Sequence, residues 1–227
     1  MAEAMYDRIR DFALFKGTSD VQISAFLEKA RLKFEKYSSG ETIVAEGDAC
    51  NDIIFILDGT VEINYFSRLG KKLISQECGS GIMIGYESLY GMNHIFDYEI
   101  RACGDCGIFR LSKSQFIGLI KNEEIYFVNL MNLLSWDIQR MKYAALNLNI
   151  TGLLPLIGYY VGVFTRHKGG RITINGDIRH LASLTGMDAQ SIRAELNRAV
   201  HDGLLRKQEK GSWELVSRED MLQHLFE

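Results

Sequence analysis

The chain has 227 residues, 47% of them apolar and 24% charged, which is the mix of a folded protein with a sizeable core and excludes a disordered or fibrous chain. Its net charge of −3 holds no basic excess, so a nucleic-acid partner has to be met by a local patch. Four scattered cysteines, no signal-peptide core and no stretch of ~20 apolar residues point to a reducing, cytoplasmic compartment and no membrane.

In chain order, residues 5–30 read as two short helices. Tyr6, Ile9, Phe12 and Ala13 recur at helical spacing, and Ser19 with Gln22 makes a capping-box start for the second helix. From Leu32 to Leu111 the pattern switches to short β-type runs, from LKFEKY and ETIVAE through DIIFILD and TVEINYFS to KKLISQE, YEIRA and IFRLS. Turn signals such as Ser39-Gly40, Asp58-Gly59 and Leu69-Gly70 separate them, which predicts an antiparallel sandwich or jelly roll. After Lys113 the strands stop. A stripe of Phe127, Met131, Leu134, Ile138, Met141, Ala145 and Leu148 then advances by alternating steps of four and three, with no glycine or proline to interrupt it. Such a stripe suits a self-pairing helical seam, the alternative being a helix packed on its own sandwich.

Thr151-Gly152 breaks this helix, and Pro155 is tolerable where the next one begins. Asp177 can cap a helix carrying Ile178, Leu181, Ala182 and Leu184; Gly186 supplies a turn; Asp188 caps a second helix with Ile192, Leu196 and Val200 inward. That is a helix-turn-helix pattern, and two strand-like runs around Lys210-Gly211 add a wing.

Two motifs in this order, GETIVAEGDACNDIIFILDGTVEI and LASLTGMDAQSIRAELNRAVHDGLL, resemble the sandwich and helix-turn-helix signatures of the CRP/FNR family of bacterial transcription regulators, and the resemblance extends over essentially the whole chain. It implies an α+β fold: a cyclic-nucleotide-binding-like β jelly roll as sensor (residues 1–121), a long dimerisation helix (122–150) and a C-terminal winged helix-turn-helix (151–227). The implied function is an effector-responsive, sequence-specific DNA-binding regulator. It would act as a homodimer on a two-fold symmetric double-stranded operator, with RNA polymerase as a further partner if it activates. The rival reading is a sensory module whose winged helix binds a protein. No nucleophile, base and oxyanion set can be assembled from these motifs, so an enzyme is not expected.

With Ile192 and Leu196 inward, the outward row of the second helix runs through Gln190, Arg193 and Asn197, with Ala189 beside it. Gln190 can pair bidentately with adenine and Arg193 with guanine. By resemblance, Ser191 stands at a phosphate-contacting position, while Ala189-Gln190 and Ala194 depart from the family's usual Arg-Glu and Arg, which puts the usual operator core in doubt. Residues 151–227 hold ten Lys or Arg against nine Asp or Glu, a weak positive bias. Arg179, Arg206, Lys207 and Lys210 are the candidate phosphate partners.

The resemblance places a phosphate cassette at GSGIMIGYESLYGMNHIFDYEIRA. Anchored on Gly85, the expected Glu is Tyr86, with Glu87 one place late, and the expected Arg-Ser-Ala is Phe96-Asp97-Tyr98. A phosphate would meet Asp97 without an arginine, so cyclic AMP and cyclic GMP are disfavoured and the effector is unknown. The aromatic replacement is either a pocket for a small organic ligand or a filled core. Residues 1–49 hold no cysteine, which disfavours an N-terminal iron–sulfur cluster. Cys103 and Cys106 form a C-x-x-C that reads as a turn or as a thiol switch, and no metal site is expected.

Overall fold

The computed structural model describes residues 7–146, 152–166 and 169–223, without the side chain of Lys210. The chain forms two compact units, residues 1–63 with 78–137 and residues 64–77 with 138–227.

The first unit opens with a helical turn at 7–10, a 3₁₀ turn at Ala13–Phe15 and helix α1 (Asp20–Lys29). The capping box of α1 is formed: Ser19 accepts from the Gln22 backbone N–H, and the Gln22 side chain accepts from the Ser19 N–H. Strands β1 (Lys33–Tyr37), β2 (Thr42–Val44) and β3 (Asp52–Asp58) follow, then β4 (Val61–Phe66) and β5 (Lys72–Cys78), which carry the chain through the second unit. The first unit resumes with β6 (Met83–Ile84), β7 (Glu99–Ala102) and β8 (Cys106–Ser112), then α2 (Lys113–Asn122) and the long α3 (Glu124–Leu146). One antiparallel sheet runs β1-β8-β3-β6, and β2 pairs with β7.

The run Ile53-Ile54-Phe55-Ile56 is buried without alternation, because β3 is covered on both faces. Phe55 stacks on Phe109 at 4.4 Å, and Phe12 meets both rings edge-on at 5.1 and 5.8 Å. The apolar spacing at the N-terminus thus serves to roof this sheet. Gly59, at φ +82°, turns β3 into β4; a Cβ there would lie 2.4 Å from the Asp105 carbonyl oxygen, so only glycine fits. Beside it, the Asp58 carboxylate accepts from the Gly107 N–H (2.9 Å) and from Arg8 (3.0 Å).

The second unit contains α4 (Leu153–Phe164), β9 (Ile172–Asn175), α5 (Ile178–Thr185), α6 (Ala189–His201), β10 (Leu205–Lys207), β11 (Ser212–Leu215) and α7 (Arg218–Gln223). Asp177 and Asp188 cap α5 and α6, and Gly186 joins the two helices in the left-handed conformation. Ile192, Leu196 and Ala199 of α6 are buried with Leu181, Leu153, Ile157, Val161, Trp213 and Leu215. Val200, expected inward, is exposed: the row Ile192–Leu196–Ala199 continues by i, i+4, i+7, and the next residue turns past it.

Strand β9 was not foreseen. It pairs with β11 on one side and with β5 on the other, in the register Ile74↔Ile174, Ser75↔Thr173 and Gln76↔Ile172. Buried Gln76 extends this ladder with its side chain, accepting from the Arg166 N–H (2.7 Å) and donating to the Arg166 carbonyl (2.8 Å).

Candidate functional site

On α6 the exposed residues Gln190, Arg193 and Asn197 share the face opposite Ile192, Leu196 and Ala199, and Ala189 lies half-buried at its start. The cap fixes the beginning of this row. Asp188 accepts from the backbone N–H groups of Gln190 (2.8 Å) and Ser191 (2.9 Å) and from the Ser191 hydroxyl (2.6 Å). Those donors hold its carboxyl below the usual carboxylate range, the Ser191 hydroxyl contributing most. In this arrangement both the backbone N–H and the hydroxyl of Ser191 donate to Asp188, so toward a phosphate it would have to act after a hydroxyl rotation. His201, four residues beyond Asn197, extends the same exposed row, and Arg198 is exposed beside it. Sequence reading missed both, although the i, i+4 step from Asn197 to His201 was available.

Arg179 is exposed on α5, and Lys207 is exposed on β10. Arg206 reaches Glu214 across the β10–β11 pair at 3.4 Å, so part of its charge is already answered. Lys210 lies in the turn between these strands, its side chain outside the described residues.

Along α3 the stripe is exposed at Phe127, Met131, Ile138, Met141 and Ala145 and half-buried at Leu134, while Tyr126 and Ala144, on another face, are buried. Ile138 is 64% exposed, an expensive position for a branched apolar side chain unless something covers it. Leu148 lies outside the described residues.

Gly85, Glu87, Phe96 and Tyr98 of the cassette come together. Tyr86, Phe96 and Tyr98 are 7%, 3% and 1% exposed, and the last two rings meet edge-on at 5.7 Å. Glu87 uses both carboxylate oxygens, one accepting from the Tyr98 hydroxyl (2.6 Å) and one from the Gly85 N–H (3.1 Å). The Gly85 carbonyl accepts from the Cys50 thiol at 3.2 Å. Asp97 is exposed. Arg101 is turned to Glu99 (3.0 Å) and to the Gly40 carbonyl (3.3 Å). Tyr86 donates to Asp137 of α3 at 2.6 Å, a contact that nothing in the sequence marks.

Cys103 and Cys106 are both free thiols, Cys103 exposed and Cys106 buried. Burial, with Asp58 nearby, pushes the Cys106 thiol up to about 11, which works against the thiolate that disulfide exchange needs. Among the described residues no group of three His, Cys, Asp or Glu side chains is placed to hold a metal ion.

Residues 34–123 match the cyclic nucleotide-binding domain family. The fold is similar to that of the Catabolite Activator Protein of Thermus thermophilus (TM-score 0.54, 17% identity), covering 94% of this chain and 99% of that one. It is also similar to the sensor domain of the transcriptional regulator DNR from Pseudomonas aeruginosa (TM-score 0.51, 15% identity), over 60% of this chain and 90% of that one. At these identities the likeness shows the fold. No curated protein sequence matches the chain. Among the described residues, no helix is long and apolar enough to cross a membrane. The class defined by fold and domain match is an α+β protein in which residues 34–123 match a cyclic nucleotide-binding domain.

Proposed function

We propose that the chain is a sequence-specific DNA-binding transcription regulator acting as a homodimer. In this reading α5, the Gly186 turn and α6 form a helix-turn-helix, and β10 and β11 form its wing. The observation that carries it is the row Gln190, Arg193 and Asn197, all exposed on the one face of α6 that takes no part in the core. Amide and guanidinium side chains at that spacing suit base edges in a major groove, where each good bidentate pair contributes roughly 1–3 kcal/mol of discrimination. Arg179, Lys207 and Lys210 supply phosphate contacts from the flanking elements, with Arg206 weakened by Glu214.

The exposed stripe of α3 supports pairing with the same helix of a second copy, which would set two α6 helices on successive turns of one DNA face. The names of the similar structures, a catabolite activator and a transcriptional regulator, point the same way. Regulatory input enters through the domain at 34–123, and RNA polymerase is the partner if the protein activates. A cyclic nucleotide is a poor fit there: Asp97 stands where a phosphate would need an arginine, and Arg101 is engaged with Glu99.

Selection of bound sequences from random duplex DNA tests the reading. The expected result is a two-fold symmetric site with half-sites about 34 Å apart, bound about 5- to 150-fold more weakly by Arg193→Ala. Absence of any enriched sequence, with a protein partner retained by Arg193→Ala, would instead favour a winged helix that binds protein.

A further inference from the structure

We infer that the cassette around Gly85 is occupied by the chain's own side chains in place of a cyclic nucleotide and serves as a fixed strut to α3. The inference rests on the proposed DNA-binding function only for what the strut serves; the strut itself stands on geometry within the first unit.

The groups that would recognise a polar ligand are already committed to one another. Both oxygens of Glu87 are taken, by the Tyr98 hydroxyl and the Gly85 N–H. The Gly85 carbonyl is taken by Cys50. Gly85 has φ +92°, and a Cβ added there would lie 3.1 Å from the Asp52 carbonyl oxygen, 3.2 Å from the Phe96 ring and 3.3 Å from the Cys50 sulfur. The space at the Cβ position of Gly85 is therefore filled by protein, and a ligand approaching the backbone there would have to displace the buried Phe96 ring.

The same cluster has an outlet. Tyr86 follows Gly85 directly, and its hydroxyl reaches Asp137 on α3. A change at the cassette is thus transmitted to α3 through the charge-assisted hydrogen bond from Tyr86 to Asp137. Tyr86 and Asp137 act as positioning residues for α3, and neither belongs to the row on α6.

Two measurements on the full-length protein test this without DNA. Calorimetric titration with cyclic AMP and with cyclic GMP is expected to give no saturable heat; saturable binding of either would overturn self-occupation. Hydrogen exchange of the α3 amides around Asp137 is expected to quicken about tenfold in Tyr86→Phe. It should stay near wild type in Asp137→Asn, which keeps an acceptor oxygen, and quicken again in Asp137→Ala. Exchange unchanged in both Tyr86→Phe and Asp137→Ala would overturn the strut. Failure of the DNA selection with these results intact would remove the DNA-binding reading and leave the strut standing.

Discussion

Asp188 shows how one side chain sets up a surface. Its carboxylate gathers three donors in the first turn of α6, one from Gln190 and two from Ser191, where the exposed row begins. Asp188→Ala is expected to cost about 1 kcal/mol of stability, the usual value of a helix N-cap, and to fray the turn that presents Gln190. A thermal melt reads the first effect, and the affinity ratio between selected and random DNA reads the second. In the first unit, Glu35 is hydrogen-bonded by Arg110 (2.9 Å) and Tyr37 (2.7 Å) and ion-paired with Lys33. Burial alone would raise its pKa, but these partners outweigh burial and bring it to about 2 from an ordinary 4.5. The charged form is therefore favoured by folding: its contribution is complete above about pH 4.5 and fades as the pH falls toward 2. Glu35→Gln should be less stable than wild type at neutral pH by about 1–3 kcal/mol. The gap should narrow in urea melts taken at pH 3, and a gap independent of pH would contradict this assignment.

Among the elements, α3 carries the clearest expectation. Placing a charge in its exposed stripe, as in Ile138→Glu, should leave the protomer folded and convert a dimer to a monomer, a halving of mass in analytical ultracentrifugation. A variant still dimeric would move the seam elsewhere. Helix α3 was legible in the sequence because its apolar residues recur at helical spacing, and the caps at Ser19, Asp177 and Asp188 were legible because capping is local. Elements stabilised from far along the chain were not. Strand β9 is four residues, ITIN, whose partner β5 lies about a hundred positions earlier, and β6 is a pair of residues inside a glycine-rich run. Helix α2 was hidden for another reason: its capping box, Ser112 with Gln115, overlaps the end of β8. Val200 went wrong by one position because the apolar face of α6 closes on Ala199, a residue too small to signal burial.

At the scale of the whole molecule, the division into units does not follow the order of the chain. Residues 64–77, within the stretch that reads as sensor, belong with the C-terminal unit, where Leu73 and Ile74 join its core and Tyr65 lies 4.8 Å from Phe164. Gln76→Ala would leave the half-buried Arg166 N–H and carbonyl without this partner, at an expected cost of about 1 kcal/mol. Exchange should rise first in β9, and a uniform rise across both units would mean that Gln76 does not act locally.

Between the long helix and α6, two side chains do what a stiff linker would otherwise have to do. Arg140 of α3 donates to the carbonyls of Gly162, Val163 and Thr165 at the end of α4, and Glu195 of α6 accepts from the Leu153 N–H at its beginning. Helix α4 is gripped at both ends, once by the element before it and once by the element after it. The C-terminal part of α3, α4 and α6 are consequently geared together: torque applied at Arg140 is delivered to α6 through α4 as a rigid spindle.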